Sequence, residues 1–244
     1  MKRTQVILCL ALALTLGIAG TAQSAMWVGA QLGANFAANT DVDASGSGGF
    51  FSYNASFKNA KTQTSVIGGL TIGYDFVREG FLGYNWPDWM KYFSFATDFT
   101  FNRADMRPQM LNYTPSGGVS GTDRIRAEGT MAVWSFLFIG KYGFFPDSEV
   151  PFGRVVPYVG VGPGIVFSTI EFGLDGHNSS AVNVALVVEA GIRFMALKNV
   201  SLDAAFRYRW CKPTYGFNDE AGESFKIGVD ANQFSAIARA NLHF

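Results

Sequence analysis

The chain has 244 residues, with 19 basic and 19 acidic side chains, and only 16% of its residues are charged. This balanced composition excludes the strongly basic surface that a nucleic-acid partner would need. The 28 glycines and 15% aromatic residues are more typical of a membrane barrel than of a soluble globule, because glycine allows close strand coiling and aromatic residues collect at bilayer interfaces.

The first 25 residues have the pattern of a secretory signal peptide. Lys2 and Arg3 give a basic start, and the apolar run from Val6 to Ala19 is too short for a membrane-spanning helix. Small residues follow, so cleavage is predicted near residues 22–25. The mature domain, residues 26–244, keeps a single cysteine, Cys211. It cannot form an internal disulfide, and the sheet itself must supply its stability.

Eight segments then alternate apolar and polar side chains with the period of two that is typical of β-strands. Their apolar rows run through residues 28–36, 66–76, 93–101, 132–142, 155–167, 184–194, 200–210 and 234–244. None of these rows contains a charged residue. A charge that faces lipid at mid-bilayer costs about 2–4 kcal/mol, and unpaired backbone groups there are also costly. The rows therefore predict a closed antiparallel barrel whose apolar side chains face lipid.

Two of the segments are irregular. In the fourth, Met131 to Ile139 is mostly apolar in both rows. This run is too short for a membrane helix and Lys141 follows soon after, so a strand is predicted. In the fifth, Pro163 cannot donate a ladder hydrogen bond, and a local bulge or bend is predicted there.

The charges of the eight segments lie in the alternate rows, which would face the lumen. This inward set comprises Asp75, Asp98, Lys141, Glu189, Arg193, Asp203, Arg207, Arg209 and Arg239. A barrel of eight strands is just wide enough for its own side chains to fill, and buried charges must be paired. The set therefore predicts a structural ion-pair network that plugs the lumen. A narrow gated passage is the alternative.

The connections between segments alternate between long and short, which is typical of barrels with long extracellular loops and short periplasmic turns. Residues 38–63, 104–127 and 212–230 are therefore predicted to be extracellular loops, and both termini periplasmic. Aromatic side chains predicted to be exposed in these loops are Phe50, Phe51, Tyr53, Phe57, Tyr113, Tyr215 and Phe217. Such side chains can anchor an extracellular partner or pack onto the barrel rim.

Two further patterns could carry chemistry. His177 lies beside Ser179 and Ser180, but a serine hydrolase also needs a group that orients the base, and a solvated loop pair is the simpler interpretation. His243 lies at the opposite membrane face.

The second pattern resembles the opening of a calcium loop: Asp41, Asp43, Ser45 and Gly46. Its twelfth position is Ser52 rather than a bidentate carboxylate, so a mobile Gly/Ser-rich loop over residues 45–49 is favoured. Cys211 is interpreted as an incidental small side chain.

Three stretches carry a resemblance to a known family. The run from Val156 to Gly164 resembles the Pro-Tyr-Val-Gly strand of small outer-membrane β-barrel proteins, and the run from Leu202 to Trp210 is similar to their penultimate strand. The terminal Phe244, with Leu242, resembles the C-terminal signal read by the barrel-assembly machinery. The chain thus resembles the eight-stranded outer-membrane β-barrel superfamily, which includes the transmembrane domain of outer-membrane protein A.

The resemblance implies a place in the outer membrane of a Gram-negative bacterium, among outer-membrane lipids and lipopolysaccharide. Some barrels of this size modify lipid A. The lipid A deacylases have a His and a Ser two positions apart shortly after an Arg-Tyr pair, whereas here Trp210 and Lys212 occupy the comparable places after Arg207-Tyr208. This departure argues against deacylation.

The sequence therefore predicts an all-β fold: an eight-stranded antiparallel transmembrane β-barrel at residues 26–244, preceded by a signal peptide at 1–25. The expected function is that of a non-enzymatic integral outer-membrane protein with a filled polar lumen, which supports the envelope and interacts through its extracellular loops. No cofactor and no metal are predicted. The alternatives are a lipid A- or phospholipid-modifying hydrolase that uses His177 and a loop serine, and a narrow channel for small solutes.

Overall fold

The computed structural model describes residues 26–38, 40–48, 51–77, 85–115, 121–172, 177–218 and 224–244. The predicted signal peptide lies outside this part of the chain. The strands are β1 (Met26–Ala37), β2 (Thr40–Gly48), β3 (Phe51–Ala60), β4 (Ser65–Asp75), β5 (Phe93–Arg103), β6 (Met106–Pro115), β7 (Gly121–Lys141), β8 (Val155–Phe172), β9 (His177–Leu197), β10 (Val200–Cys211), β11 (Thr214–Asn218), β12 (Ser224–Val229) and β13 (Ala231–His243). A short 3-10 helix, Asp88–Tyr92, precedes β5. Within the described ranges, no helix is long and apolar enough to cross a membrane.

Eight of these strands close into an antiparallel barrel in the order β7–β5–β4–β1–β13–β10–β9–β8, and β8 pairs back onto β7. The predicted fold class is therefore confirmed. The segment with two apolar rows is indeed a strand, β7, whose Val133 and Leu137 side chains are buried inside the barrel. The predicted lipid-facing rows point outward: Val184 is 73% exposed and Leu70 is 64% exposed.

Of the bulge or bend predicted at Pro163, the bulge is wrong. Strand β8 keeps one register with β9 through the pair Pro163–Leu186. Its register with β7 is also the same on both sides of the proline, at Ser135–Gly164 and at Phe138–Val161. The neighbouring Gly162 allows the strands to stay close. A Cβ atom at this position would lie only 1.8 Å from the Phe136 carbonyl oxygen. The missing N–H of Pro163 thus removes a donor without adding a residue to the strand.

The three predicted extracellular loops are mostly strand, which corrects the sequence-based prediction. Strands β11, β12, β2, β3 and β6 pair in that order and join β7. Together with residues 121–130 of β7, 168–172 of β8 and 177–183 of β9, they form an extension at the end of the barrel away from Met26 and Phe244. We call this extension the crown. At its seam, β11 meets β9 through a side-chain bond in which the Ser179 hydroxyl donates to the Gly216 carbonyl (2.7 Å).

The crown has an apolar core of its own. Its buried members are Val42, Ala60, Met106, Ala127, Ile170, Ala181, Tyr215, Phe217, Ile227 and Val229. Tyr215 and Phe217, which were expected to be exposed, are only 4% exposed because they point into this core, and Phe57 packs against it. Phe50 and the side chains of Phe51, Tyr53 and Tyr113 lie outside the described part of the chain.

Candidate functional site

The centre of the barrel lumen is an arginine that connects opposite walls. Arg207 extends from β10 to Asp98 on β5, which lies four strands away in either direction around the barrel. Its Nη1 donates to Asp98 Oδ1 (3.2 Å) and its Nε donates to Glu189 Oε2 on the adjacent β9 (2.7 Å). All three side chains are at most 2% exposed. The guanidinium therefore compensates two buried carboxylates at once.

Glu189 accepts hydrogen bonds from several side chains in this central layer of the lumen. Besides Arg207, it accepts hydrogen bonds from Arg239 Nη2 (3.1 Å) and from the Tyr158 hydroxyl (3.0 Å). Arg239 also donates to Gln31 Oε1 (3.0 Å) and contacts Asp203 Oδ2 (3.5 Å). Such additional hydrogen bonds are what allows a buried ion pair to persist in a low-dielectric interior.

A second layer lies nearer the end of the barrel that holds Met26 and Phe244. Arg193 pairs with Asp203 (Nε to Oδ1, 3.2 Å) and lies 3.9 Å from Asp75 on the opposite wall. Asp75 also binds Lys141 Nζ at 2.6 Å. The Arg193 guanidinium lies over the buried indole ring of Trp27, 4.4 Å from its centre. Eight of the nine predicted lumen charges are thus paired with one another, and two of these contacts, Arg207–Asp98 and Arg193–Asp75, cross the barrel.

Arg209 is the predicted member that the structure does not place in an ion pair. Its guanidinium donates to neutral groups, with Gln233 Oε1 at 3.1 Å and Asn102 Oδ1 and Thr100 Oγ1 at 3.4 Å. It lies where the ionic layers end and an apolar layer begins, beside Met131. Cys211, two residues further along β10, is 1% exposed and is buried in that apolar layer.

Several polar members of the lumen are uncharged, so the pattern of charges in the inward rows does not predict them. Ser201, Asn241 and His243 form a buried cluster with Asp203 at the end of the barrel that holds Met26 and Phe244. The Ser201 hydroxyl lies 2.9 Å from His243 Nε2, and it also donates to Asp203 Oδ1 (3.4 Å). In a serine hydrolase the carboxylate orients the imidazole, whereas here it contacts the serine. The cluster therefore lacks the geometry of a catalytic triad.

The predicted His177–Ser179 pair lies in the first three residues of β9, within the crown. Ser179 is used structurally, as the donor that holds β9 against Gly216 of β11. The side chain of His177 lies outside the described residues.

The calcium-loop pattern does not form, and the favoured mobile loop over residues 45–49 is wrong for residues 45–48, which are strand; residue 49 lies outside the described residues. Asp41, Asp43 and Ser45 lie on β2, an extended strand, whereas a calcium loop must turn around its ion. Asp41 is instead paired with Lys58 on β3 (2.9 Å). This hydrogen bond holds the pKa of the Asp41 carboxyl below its usual range. Within the described ranges, no group of three His, Cys, Asp or Glu residues is arranged to hold a metal ion.

No curated protein matches the chain. Among solved structures, the chain is similar to Neisserial surface protein A (14% identity, 90% of this chain and 97% of that chain, TM-score 0.48) and to the outer membrane protein OprG from Pseudomonas aeruginosa (13% identity, 91% and 98%, TM-score 0.48). It is also similar to Ail of Yersinia pestis (13% identity, 88% and 99%, TM-score 0.37).

The family model described as "Outer membrane protein beta-barrel domain" matches residues 9–236. This match covers nearly the whole described chain and agrees with the closed eight-stranded barrel and its lipid-facing rows. The chain therefore belongs to the outer membrane protein beta-barrel domain family and is a transmembrane barrel of the bacterial outer membrane.

Proposed function

We propose that this protein is a non-enzymatic outer-membrane barrel whose lumen is closed and whose crown forms a folded surface for interactions outside the cell. The observation that carries the proposal is the contact of Arg207 with Asp98, together with that of Arg193 with Asp75, because each crosses the full width of the barrel. A lumen crossed in two layers leaves its side chains bound to one another and not available to a solute.

The crown supports the second half of the proposal. Its strands turn apolar side chains inward, such as Val42 and Ile227, and exposed polar ones outward, such as Asp43 and Lys226. A surface that is already folded loses less conformational entropy on binding than a flexible loop does. The crown is therefore suited to hold recognition groups in fixed positions.

Conductance across a planar bilayer tests the closed lumen. The purified wild-type protein is expected to give no steady conductance. Replacing both Arg207 and Arg239 by serine removes two large side chains that cross the lumen, and this variant is expected to conduct. Lys58→Ser, on the outer surface of the crown, is the matched control and is expected to stay silent. Steady conductance of the wild-type protein would overturn the proposal.

Labelling of single cysteines on intact cells tests the orientation of the crown. Lys226→Cys on β12 is expected to react with a membrane-impermeant maleimide. Lys198→Cys, in the turn between β9 and β10, is expected to react only after the outer membrane is permeabilised. Cys211 is 1% exposed, so the parent protein is expected to stay unlabelled until it is unfolded. Labelling of Lys198→Cys but not of Lys226→Cys on intact cells would show the opposite orientation.

A further inference from the structure

The charges inside the barrel lumen do not balance. The structure places five cations and four carboxylates of the predicted lumen set in the interior. Four of the cations take one carboxylate each, in the pairs Lys141–Asp75, Arg193–Asp203, Arg207–Asp98 and Arg239–Glu189. The fifth cation is Arg209, whose partners among the described residues are all neutral. The described lumen therefore carries one positive charge that no carboxylate compensates.

This uncompensated charge lies deep inside the barrel. Arg209 is 1% exposed, and its side chain extends from β10 across the lumen to Thr100 and Asn102 on β5, which are buried as well. Met131 lies beside the guanidinium. An ionised group buried in this way loses its hydration, and the cost is large unless an opposite charge lies close by. Neutral acceptors return only part of that cost.

One edge of the Arg209 guanidinium has few partners. Nη1 donates to the amide oxygens of Gln233 (3.1 Å) and Asn102 (3.4 Å). Among the described residues, Nη2 donates only to Thr100 Oγ1, at 3.4 Å, and Nε has no partner. Nε and Nη2 together form an edge with two parallel donors, which is the arrangement that binds an anion at two points.

Two other arginines of the lumen use this same edge for a carboxylate. Arg193 donates from Nε and Nη2 to Asp203, and Arg207 donates from Nε and Nη2 to Glu189. The edge of Arg209 therefore differs from theirs in having no anionic partner in the protein. The difference in charge and the free donor both point to an anion at the same place.

We propose that the Nε–Nη2 edge of Arg209 binds a monovalent anion of the size of chloride as a fixed part of the lumen. A single charge is favoured because the lumen lacks one negative charge, and a small ion is favoured because the surrounding side chains are buried. Thr100 accepts its bond from Arg209, so its own hydroxyl proton can turn towards the same anion. This inference goes beyond the proposed function and does not depend on the crown.

Urea unfolding in lipid vesicles tests the site, with the protein refolded in sodium chloride or in sodium gluconate at equal ionic strength. A ligand that binds only the folded state stabilises it, so the unfolding midpoint of the wild type is expected to be higher in chloride and to rise with its concentration. Asn102→Asp supplies a carboxylate beside Arg209 and is expected to lose this dependence. Asn54→Asp, the same exchange at an exposed position of the crown, is the matched control and is expected to keep it.

Bromide in place of chloride locates the ion directly, because its anomalous scattering identifies it in crystals of the protein. A peak is expected at the Nε–Nη2 edge of Arg209 in the wild type and not in Asn102→Asp. A wild type without a peak at this edge would overturn the proposal. So would a peak without any effect of chloride on unfolding, which would indicate an adventitious ion only, or an undiminished chloride effect in Asn102→Asp with native heat-modifiable gel mobility.

Discussion

Replacement of Arg207 by alanine is expected to lower the free energy of unfolding by about 3–5 kcal/mol, because it leaves buried carboxylates without their main partner. Asp98 would lose its ion pair across the lumen, and Glu189 would keep only Arg239 and Tyr158. Equilibrium unfolding in urea, with the protein reconstituted in lipid vesicles, measures the loss. The heat-modifiable gel mobility of each variant reports whether the barrel has closed.

A double variant separates the charge from the shape of the side chain. In Arg207→Leu/Asp98→Leu the unpaired carboxylate is removed together with the cation, so part of the stability lost in Arg207→Leu is expected to return. The exposed Lys58→Ala change is expected to have no measurable effect, since exposed ion pairs contribute little. If the double variant were less stable than Arg207→Leu alone, packing and not charge would explain the role of Arg207.

The sequence predicts the barrel well because one physical penalty acts at every lipid-facing position. A charge at Val184 or Leu70 would face hydrocarbon, so the outward row is free of charged residues in each transmembrane strand. The inward row is not constrained in this way and can be ionic, as at Arg207, or apolar, as at Val133 on β7. The outward row therefore predicts the fold even where the inward row is misleading.

Outside the bilayer, an apolar outward row no longer identifies the strands. In the crown, β2 places Val42 inside and exposes Asp43 and Ser45, which is the reverse of the barrel pattern and is typical of a sheet in water. Such strands have no apolar outward row, and they are therefore predicted to be loops. The sequence shows the alternation, but it does not show whether a given strand lies in lipid or in water.

The sequence does not predict which charged side chains pair inside the lumen, and the reason is different. Side-chain parity predicts that Arg207 and Asp98 face inward. Which carboxylate an arginine reaches depends on the stagger of the strands and on closure of the barrel, which brings β10 opposite β5 across 109 residues of sequence. The same geometry leaves Arg209, only two residues further along, among neutral partners.

The packing of the lumen at the end near Met26 and Phe244 depends on one large side chain and the glycine that faces it. Trp27 on β1 is 1% exposed and pairs directly with Gly73 on β4. A Cβ atom at Gly73 would lie 2.1 Å from two carbon atoms of the indole ring. The Arg193 guanidinium also lies over the ring, 4.4 Å from its centre. The indole therefore has no free space to move into when a side chain is added at this position.

Gly73→Val is accordingly expected to lower the free energy of unfolding by about 3 kcal/mol, at the upper end of the usual cost of overpacking. Urea unfolding in lipid vesicles measures it. Gly68→Val is the matched control on the same strand, because Gly68 faces lipid and a Cβ there meets its nearest atoms at 3.8 Å. This control is expected to fold with wild-type stability.

A compensating change identifies the cause of that loss. Trp27→Phe shortens the ring that faces Gly73, so the double variant Gly73→Val/Trp27→Phe is expected to be more stable than Gly73→Val alone, although it stays below the wild type because the Arg193 contact is weakened. If the smaller ring gave no recovery, the strain would lie in the backbone of β4 and not in the indole. Recovery would instead establish that the loss comes from the contact between Gly73 and Trp27. The two residues would then be a matched pair on adjacent strands, and their packing would support the neighbouring ionic layers of the lumen.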